Sequence, residues 1–293
     1  MDFKKAELGD LPVLREYFKD QYFYNSGYTA TMLYLWTPFY NTEYAVIDDM
    51  ILCRSGKDKI RYSFPIGQGD KKRVLDQAMQ ECKERGEDFE MYGVTKDIEK
   101  EMKKMYGDTF EVVYDRDEAD YVYLSEKLIS LSGKKLHGKR NHINRFVENH
   151  EWSYEEMTDD NKQECLDMLK EWGVHNIEEA DQGKNEEICV ARECIIHRKE
   201  LGLKGGLIRC EGAIIAFSMG EPLNKDTFVV HIEKAFSHIQ GAYPIINQQF
   251  VKHEASEFTY INREEDCGEE GLRKAKLSYR PETMIEKGIL KFR

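Results

Sequence analysis

The order of apolar and polar positions predicts a short series of elements in the first half of the chain. Two apolar runs flank a two-residue connection, which is typical of a β-hairpin. Apolar residues later recur at helical spacing. In order, the pattern predicts strands at 44–47 and 50–53 around Asp48 and Asp49, a strand near 59–64, a glycine turn at 67–69, a helix over 74–82 and a strand at 89–92.

The second half repeats this order. It predicts strands at 207–210 and 213–217 around Glu211 and Gly212, a strand at 227–235, a turn at Gly241, a helix at 244–253 and a strand at 258–261. The repetition indicates a duplicated α/β unit, although chance similarity of two α/β halves stays open. We expect a boundary in the charged run 115–120, between strands at 110–113 and 121–124. The division gives a structural domain, 1–118, and an active domain, 119–293.

Composition is typical of a globular protein and narrows the class. Hydrophobic residues make up 41% of the 293 residues, charged residues 33%, and the net charge is −12, which argues against a surface that coats nucleic acid. Seven cysteines form no CxxC pair and lie mostly in apolar runs, so we expect reduced thiols and a cytoplasmic protein. We expect no transmembrane segment, because no apolar run approaches about 20 residues. No histidine spacing indicates a metal site.

The turn at Gly241 is a candidate donor-binding site. A helix that starts after it would direct unpaired backbone amides at the turn, where they could bind a phosphate of a donor or stabilise an oxyanion. A plain strand-to-helix turn is the alternative. The donor-binding candidates are Gln240, Gly241, Ala242 and Tyr243.

The strand at 227–235 supplies a candidate general base. Strict alternation places His231 and Glu233 on one face near the end of the strand. A carboxylate there could accept a proton from an attacking amine or hydroxyl group. A structural ion pair of Glu233 is the alternative.

A basic segment forms a second candidate region. No acidic residue occurs from 127 to 147, and the segment contains six lysines and arginines. These cations could bind phosphates of a lipid headgroup or of a tRNA acceptor end, or could belong to a solvated basic helix. The substrate-binding candidates here are Lys139, Arg140 and Arg145.

The densest cluster of charge follows the last strand of the repeat. We expect a charged network at the open end of the sheet, either binding an anionic substrate or holding the loop in place. Its members are Asn262, Arg263, Glu264, Asp266, Arg273 and Lys276, the last two on a predicted turn. Tyr279 is a candidate proton donor, with a buried structural tyrosine as the alternative.

Segments 134–146, 233–235 and 262–276 resemble the phosphatidylglycerol lysyltransferase C-terminal domain family, and the resemblance covers nearly the whole chain. It implies an α/β fold of two tandem GNAT-like (N-acyltransferase) domains with mixed, mainly antiparallel sheets. It also implies transfer of an acyl or aminoacyl group to an amine or hydroxyl acceptor. Members fused to membrane domains move an amino acid from aminoacyl-tRNA to phosphatidylglycerol.

The resemblance leaves the donor open between acyl-CoA and aminoacyl-tRNA, and it allows peripheral contact with anionic lipid. Two alternatives therefore remain beside an aminoacyltransferase. One is an acyl-CoA-dependent N-acyltransferase, and the other is a non-catalytic binding protein with the same fold.

Overall fold

The computed structural model describes residues 1–19, 21–22, 24–176 and 182–293. Its strands are β1 (Glu43–Ile47), β2 (Met50–Ser55), β3 (Arg61–Tyr62), β4 (Ile66–Gly67), β5 (Glu90–Val94), β6 (Phe110–Leu124), β7 (Trp152–Glu156), β8 (Lys204–Cys210), β9 (Ala213–Pro222), β10 (Thr227–Ala235), β11 (Tyr260–Asn262) and β12 (Thr283–Phe292). These twelve strands form one sheet in the order β1-β2-β3-β5-β12-β6-β11-β10-β9-β8-β7, with β4 paired to β2.

Helices cover the sheet. They are α1 (Leu11–Phe18), α2 (Ala30–Tyr40), α3 (Lys71–Arg85), α4 (Lys96–Tyr106), α5 (Ser125–Ser130), α6 (His137–Asn149), α7 (Lys162–Asn176), α8 (Gln182–Ile196), α9 (Ala242–Glu254) and α10 (Glu270–Ser278). Local sequence explains their ends, as α3 shows: the Asp70 side chain accepts the Arg73 amide at its start, and Gly86 ends it with φ of 72°. Within the described ranges, no helix combines the length and the apolar character needed to cross a membrane.

Both predicted hairpins are present. Asp48 and Asp49 have φ of 49° and 60° between β1 and β2, and Glu211 and Gly212 have φ of 49° and 83° between β8 and β9. Positive φ at both central residues defines the tight turn that matches the twist of the flanking strands. The two-residue connections therefore form as the sequence indicated.

The predicted α/β class with a mixed, mainly antiparallel sheet is confirmed. Across the described residues, the parallel pairs are β3 with β5 and β10 with β11. Helix α3 precedes β5 in the first half, and α9 connects β10 to β11 in the second. Each half thus has a hairpin, a strand, a helix and a parallel strand in the same order. The division into domains 1–118 and 119–293 stays a prediction.

The strands expected at 110–113 and 121–124 are wrong as separate elements. Residues 110–124 form the single strand β6, and the charged run 115–120 lies inside it. β12 pairs with β6 on both sides of this run, at residues 110–115 and 120–122, with a register shift between Ile285 and Lys287. The two ends of the run, Asp115 and Asp120, are thereby held in the sheet. The sequence analysis missed β12, whose charged residues interrupt its apolar pattern.

A buried lysine joins these central strands. Lys287 of β12 donates to Asp120 of β6 at 2.8 Å and to Glu265, after β11, at 2.8 Å. Asp120 is fully buried and also accepts from the backbone amide of Ser26 at 2.9 Å. Burial by itself lowers the pKa of Lys287, but the two carboxylates outweigh burial and raise it, so the lysine stays charged.

The substitution Lys287→Met should destabilise the protein by about 3–5 kcal/mol, because it leaves the fully buried Asp120 and the partly buried Glu265 without their cation. Urea unfolding measures the effect. Lys291→Met on the same strand is the matched control: Lys291 is 49% exposed and lies 3.4 Å from Glu90, which keeps Lys59 and Arg61 as partners. We expect less than about 1 kcal/mol from it. Equal losses in the two variants would contradict a special role for Lys287.

Candidate functional site

The centre of the candidate site is a nearly buried ion pair between β10 and the loop after β11. Arg263 Nη2 donates to Glu233 Oε1 at 2.7 Å, and the two side chains are only 10% and 13% exposed. The second oxygen, Glu233 Oε2, accepts from Asn247 Nδ2 of α9 at 3.0 Å. Both oxygens of the carboxylate are therefore held in place.

An aromatic ring and a second cation complete this group. The Arg263 guanidinium lies 4.9 Å from the ring centre of Tyr279, and Lys139 Nζ lies 4.2 Å from the same ring centre. Four predicted site residues, namely Glu233, Arg263, Tyr279 and Lys139, are thus brought together. With Asn247, we call them the Glu233 cluster.

The environment changes the acidity of two members of the Glu233 cluster. Burial, followed by repulsion from Arg263, lowers the pKa of Lys139. Burial raises the pKa of the Tyr279 hydroxyl, which outweighs the opposing effect of Arg263. The lysine ammonium is thereby a better proton donor than a free lysine, and the tyrosine is a poorer one than a free tyrosine.

Two polar atoms of the cluster have no hydrogen-bond partner among the described residues. They are Arg263 Nη1 and Asn247 Oδ1, and both are buried. A buried polar atom without a partner costs about 1–3 kcal/mol, so natural proteins keep few of them outside functional sites. One is a donor and the other an acceptor, and both lie on groups bound to Glu233.

The expectation that His231 shares a face with Glu233 is wrong. Phe228 packs on Phe250 of α9 with ring centres 5.9 Å apart, and Glu233 binds Asn247 of the same helix. Phe228 and Glu233 are five positions apart, so strict alternation along the strand would place them on opposite faces of the sheet, whereas both contact α9. The register of β10 shifts between Val230 and Ile232, and this bulge reverses the phase.

His231 belongs to a separate buried group. Its Nε2 lies 3.0 Å from Glu221 Oε1, and its Nδ1 lies 2.7 Å from Glu264 Oε1. Burial tends to lower the pKa of His231, but its two glutamate partners outweigh burial and raise it to about 9. Glu264 also has a positive φ of 58°, which the Asn262 side chain supports by accepting the Glu264 amide at 2.7 Å.

The remaining charges of the terminal loop bind one another. Asp266 is fully buried and accepts two hydrogen bonds from Arg273, at 2.9 and 2.6 Å, and another from the Tyr121 hydroxyl. Lys276 Nζ donates to backbone carbonyls of the loop, among them that of Arg263 at 2.6 Å. The predicted turn around these two cations is the helix α10.

Asn262 also anchors the loop, because its side-chain Nδ2 donates to the Tyr24 carbonyl at 3.1 Å and to Asp120 at 3.0 Å. The predicted substrate-binding residues Asn262, Glu264, Asp266, Arg273 and Lys276 therefore have protein partners. Arg263 differs from them, because its Nη1 has no hydrogen-bond partner among the residues that the structure describes.

The turn at Gly241 is packed against α6. Gly241 has φ of 95°, and a Cβ added there would lie 2.8 Å from the His142 carbonyl oxygen. The Ala242 amide already donates to Ile239, and Pro244 has no amide hydrogen. Tyr243 contacts Trp172 of α7, with 3.4 Å between Tyr243 Oη and Trp172 Nε1, while the Gln240 amide lies 3.4 Å from His142 Nδ1. This arrangement fits a phosphate poorly, because two positions of the first turn offer no free amide and α6 packs against the turn.

The basic residues predicted on α6 have different contacts. Lys139 reaches the Glu233 cluster, whereas Arg140 donates to the carbonyls of Leu131 and Gly133. Three further cations remain exposed on α6 and the turn before it: Lys134, Lys135 and Arg145. An exposed basic surface thus lies on the element that carries Lys139.

Surface cavities with volumes of about 250 to 620 Å³ lie among described residues away from the Glu233 cluster. One, of about 570 Å³, lies in the first half and is lined by residues that include Tyr17, Phe64 and Gln68. A group of possible metal ligands lies apart from these cavities. The ligand atoms of His150, Cys210 and Glu211 are within 4.8 Å of one another. Glu211 Oε1 there already accepts the Glu151 amide at 3.0 Å.

Sequence reasoning missed Asn247. The sequence contained a sign of it. Asn247 precedes Phe250 by three positions and Val251 by four, so it lies on the apolar face of the predicted helix. A polar residue at such a position requires a partner, which here is Glu233.

His231 should make stability depend on pH. Its folded pKa of about 9 exceeds the unfolded value of 6.5, so its contribution is fully present below pH 6.5 and is lost as the pH rises through 9. The contribution is at most about 3 kcal/mol. The measurement is the free energy of unfolding of the wild type minus that of His231→Gln across this range, since the difference cancels the titration of cysteines and tyrosines. A difference that does not fall with rising pH would exclude this account.

Asp266→Ala should destabilise the protein by about 1–3 kcal/mol, because the buried Tyr121 hydroxyl loses its acceptor and the partly exposed Arg273 and Arg116 each lose a partner. Lys274→Ala on α10 is the control, since Lys274 and its partner Glu270 are 73% and 80% exposed. We expect an effect within about 0.5 kcal/mol from it. Thermal and urea unfolding measure both, and a small loss in Asp266→Ala would show that the loop does not depend on this carboxylate.

Comparison with known proteins agrees with this architecture. A crystal structure of a conserved protein of unknown function from Bacteroides thetaiotaomicron has 37% sequence identity and a TM-score of 0.94, covering 99% of each chain. The structure of L-PGS from Bacillus licheniformis has 15% identity and a TM-score of 0.67, covering 99% of this chain and 93% of that one. The second likeness concerns the fold alone.

A curated relative, an uncharacterised protein of Mycoplasmoides gallisepticum, is 25% identical over 185 residues, which are 62% of this chain. The match spans 58% of the length of that relative. The family model described as "Phosphatidylglycerol lysyltransferase, C-terminal" matches residues 19–290. The chain therefore belongs to the family of phosphatidylglycerol lysyltransferase C-terminal domains.

Proposed function

We propose that the protein is an aminoacyl- or acyltransferase whose reaction centre is the Glu233 cluster. One observation carries the proposal: Arg263 Nη1 is a buried donor without a described partner, next to a carboxylate held by its other nitrogen. A donor aimed beside a fixed carboxylate suits attack on a carbonyl group, where negative charge develops on oxygen and a proton must leave the nucleophile.

The reaction forms a bond between an acceptor nitrogen or oxygen and the carbonyl carbon of the donor. Glu233 takes the proton of the acceptor, and Arg263 Nη1 donates to the carbonyl oxygen as it becomes negative. The bond from the carbonyl carbon to the ester oxygen then breaks, and Lys139 gives that oxygen a proton. Transfer of the proton from Glu233 to Lys139 through solvent restores the starting state.

The structure changes which residues we assign as proton donor and as the group that stabilises the oxyanion. The lowered pKa of Lys139 favours it as the proton donor, whereas the raised pKa of Tyr279 favours a positioning role for that residue. The Tyr279 ring holds both cations by cation–π contact. Arg263, rather than the amides near Gly241, stabilises the oxyanion, because the turn at Gly241 is packed against α6.

An aminoacyl-tRNA donor is favoured over acyl-CoA. The turn at Gly241 is packed against α6 and lacks free amides at Ala242 and Pro244, while the exposed cations around α6 can contact a phosphate backbone near Lys139. The acceptor is an amine or a hydroxyl group. The family description suggests phosphatidylglycerol, which the protein would reach by peripheral contact with an anionic surface. A reducing, cytoplasmic setting fits the free cysteines, five of which are buried.

Transfer should require Glu233 and Arg263. The assay combines total tRNA charged with labelled amino acids with two acceptors, phosphatidylglycerol vesicles and a mixture of soluble amines. We expect Glu233→Gln and Arg263→Lys each to reduce transfer by about 100-fold or more, the usual cost of losing a general base or an oxyanion donor. Glu257→Gln is the control, because Glu257 is 71% exposed.

Two results would count against the proposal. Unchanged transfer in both variants would remove the Glu233 cluster from the reaction. A folded wild-type protein that transfers nothing from any donor, including acyl-CoA, would favour a non-catalytic binding role.

A further inference from the structure

Three side chains with different metal-binding atoms meet beside the β8–β9 hairpin. They are the His150 imidazole, the Cys210 thiol and the Glu211 carboxylate, and one ligand atom of each lies within 4.8 Å of the other two. His150 directly follows α6, whereas Cys210 ends β8 and Glu211 begins the turn to β9. The fold brings these distant positions together, so spacing along the sequence could not indicate them.

Backbone hydrogen bonds hold the three residues in place. The Glu151 amide donates to Glu211 Oε1 at 3.0 Å, and the Glu211 amide donates to the Glu151 carbonyl at 3.0 Å. These bonds connect the residue after His150 to the residue after Cys210. The His150 ring also packs on Phe146, with ring centres 5.0 Å apart. Ligands that are already positioned lose less conformational entropy when they bind an ion.

The distances are close to those of a tetrahedral metal site. Zn–S bonds of about 2.3 Å and Zn–N or Zn–O bonds of about 2.0–2.2 Å separate the ligand atoms of such a site by about 3.4–3.6 Å. His150 Nδ1 lies 3.8 Å from Glu211 Oε1, which is too long for a hydrogen bond and near the required separation. The other pairs need to close by at most about 1.4 Å. Rotation of the His150 and Glu211 side chains, which are 34% and 61% exposed, can supply that movement.

The types of ligand atom select the class of ion. Thiolate sulfur and imidazole nitrogen bind Zn²⁺ and similar transition-metal ions, whereas Ca²⁺ and Mg²⁺ prefer oxygen ligands. A thiolate and a carboxylate together carry two negative charges, which balance those of a divalent cation. Because Glu211 is exposed, water can reach the ion as a fourth ligand.

We propose that His150, Cys210 and Glu211 form a binding site for one Zn²⁺ ion, with water as the fourth ligand. The Cys210 thiol releases its proton to solvent as the sulfur binds the ion. The ion connects the end of α6 to the turn between β8 and β9. The site shares no residue with the Glu233 cluster, and the proposal does not depend on the proposed transferase function.

The test measures metal binding by the whole chain, kept reduced and first treated with a chelator. Competition with a chromophoric chelator gives the dissociation constant for Zn²⁺, and Co²⁺ replaces it for absorption spectroscopy. The ligand variants are Cys210→Ser, His150→Gln and Glu211→Gln. Two control variants remove an exposed cysteine, Cys189→Ser, and an exposed histidine of α6, His137→Gln.

We expect the wild type and both controls to bind one Zn²⁺ per chain and, with Co²⁺, to show a thiolate-to-cobalt charge-transfer band. Cys210→Ser should abolish that band. Cys210→Ser and His150→Gln should each weaken Zn²⁺ binding by at least about 100-fold, since loss of even an outer partner of a ligand costs about 10–100-fold. Glu211→Gln should weaken it by about tenfold or more, because the amide oxygen lacks the negative charge.

A wild type that binds Zn²⁺ no more tightly than Cys210→Ser would overturn the proposal. A charge-transfer band that survives in Cys210→Ser, or that disappears in Cys189→Ser, would also overturn it. If Cys210→Ser does not fold, the two surface variants decide. Unchanged Zn²⁺ affinity in either His150→Gln or Glu211→Gln would then mean an adventitious ion only.

Discussion

The ion pair between Glu233 and Arg263 is the interaction on which the second half of the structure depends. It links β10 to the loop that follows β11, and both side chains are almost withdrawn from solvent. Additional hydrogen bonds to such a pair help to offset the cost of withdrawing both charges from water. Asn247 satisfies the second carboxylate oxygen, but within the described part of the chain Arg263 Nη1 has no partner. The Glu233 cluster is therefore fixed by these bonds, while Arg263 Nη1 and Asn247 Oδ1 have no partner among the described residues.

The loop around Arg263 keeps that geometry because each neighbouring side chain has a different anchor. Asn262 binds Asp120, Glu264 binds His231, Glu265 binds Lys287 and Asp266 binds Arg273. Neighbouring residues of the loop therefore bind separate partners. A reaction centre needs such a fixed frame, because a misplaced donor loses most of its effect on the transition state.

The sequence predicted the hairpins and the order of the strands well, because two-residue turns and the spacing of apolar residues are local signals. It failed where a distant segment decides the structure. β12 pairs with β6 at both ends of the charged run and so keeps β6 continuous, and His231 changes face because of a bulge in β10. The sequence placed charge around the terminal loop, but spacing alone could not separate Arg263 from Arg273. Arg263 contributes to the Glu233 cluster a nitrogen that has no described partner, whereas Arg273 binds Asp266.

The most direct measurement is a crystal structure of the protein with a non-hydrolysable amide analogue of an aminoacyl-tRNA 3′ end. The account predicts that the analogue's carbonyl oxygen lies about 3 Å from Arg263 Nη1, within hydrogen-bond distance. Lys139 would lie next to the atom that replaces the ester oxygen. An analogue bound elsewhere, for example in the cavity beside Tyr17 and Phe64, with both atoms of the cluster still unpaired, would contradict the account.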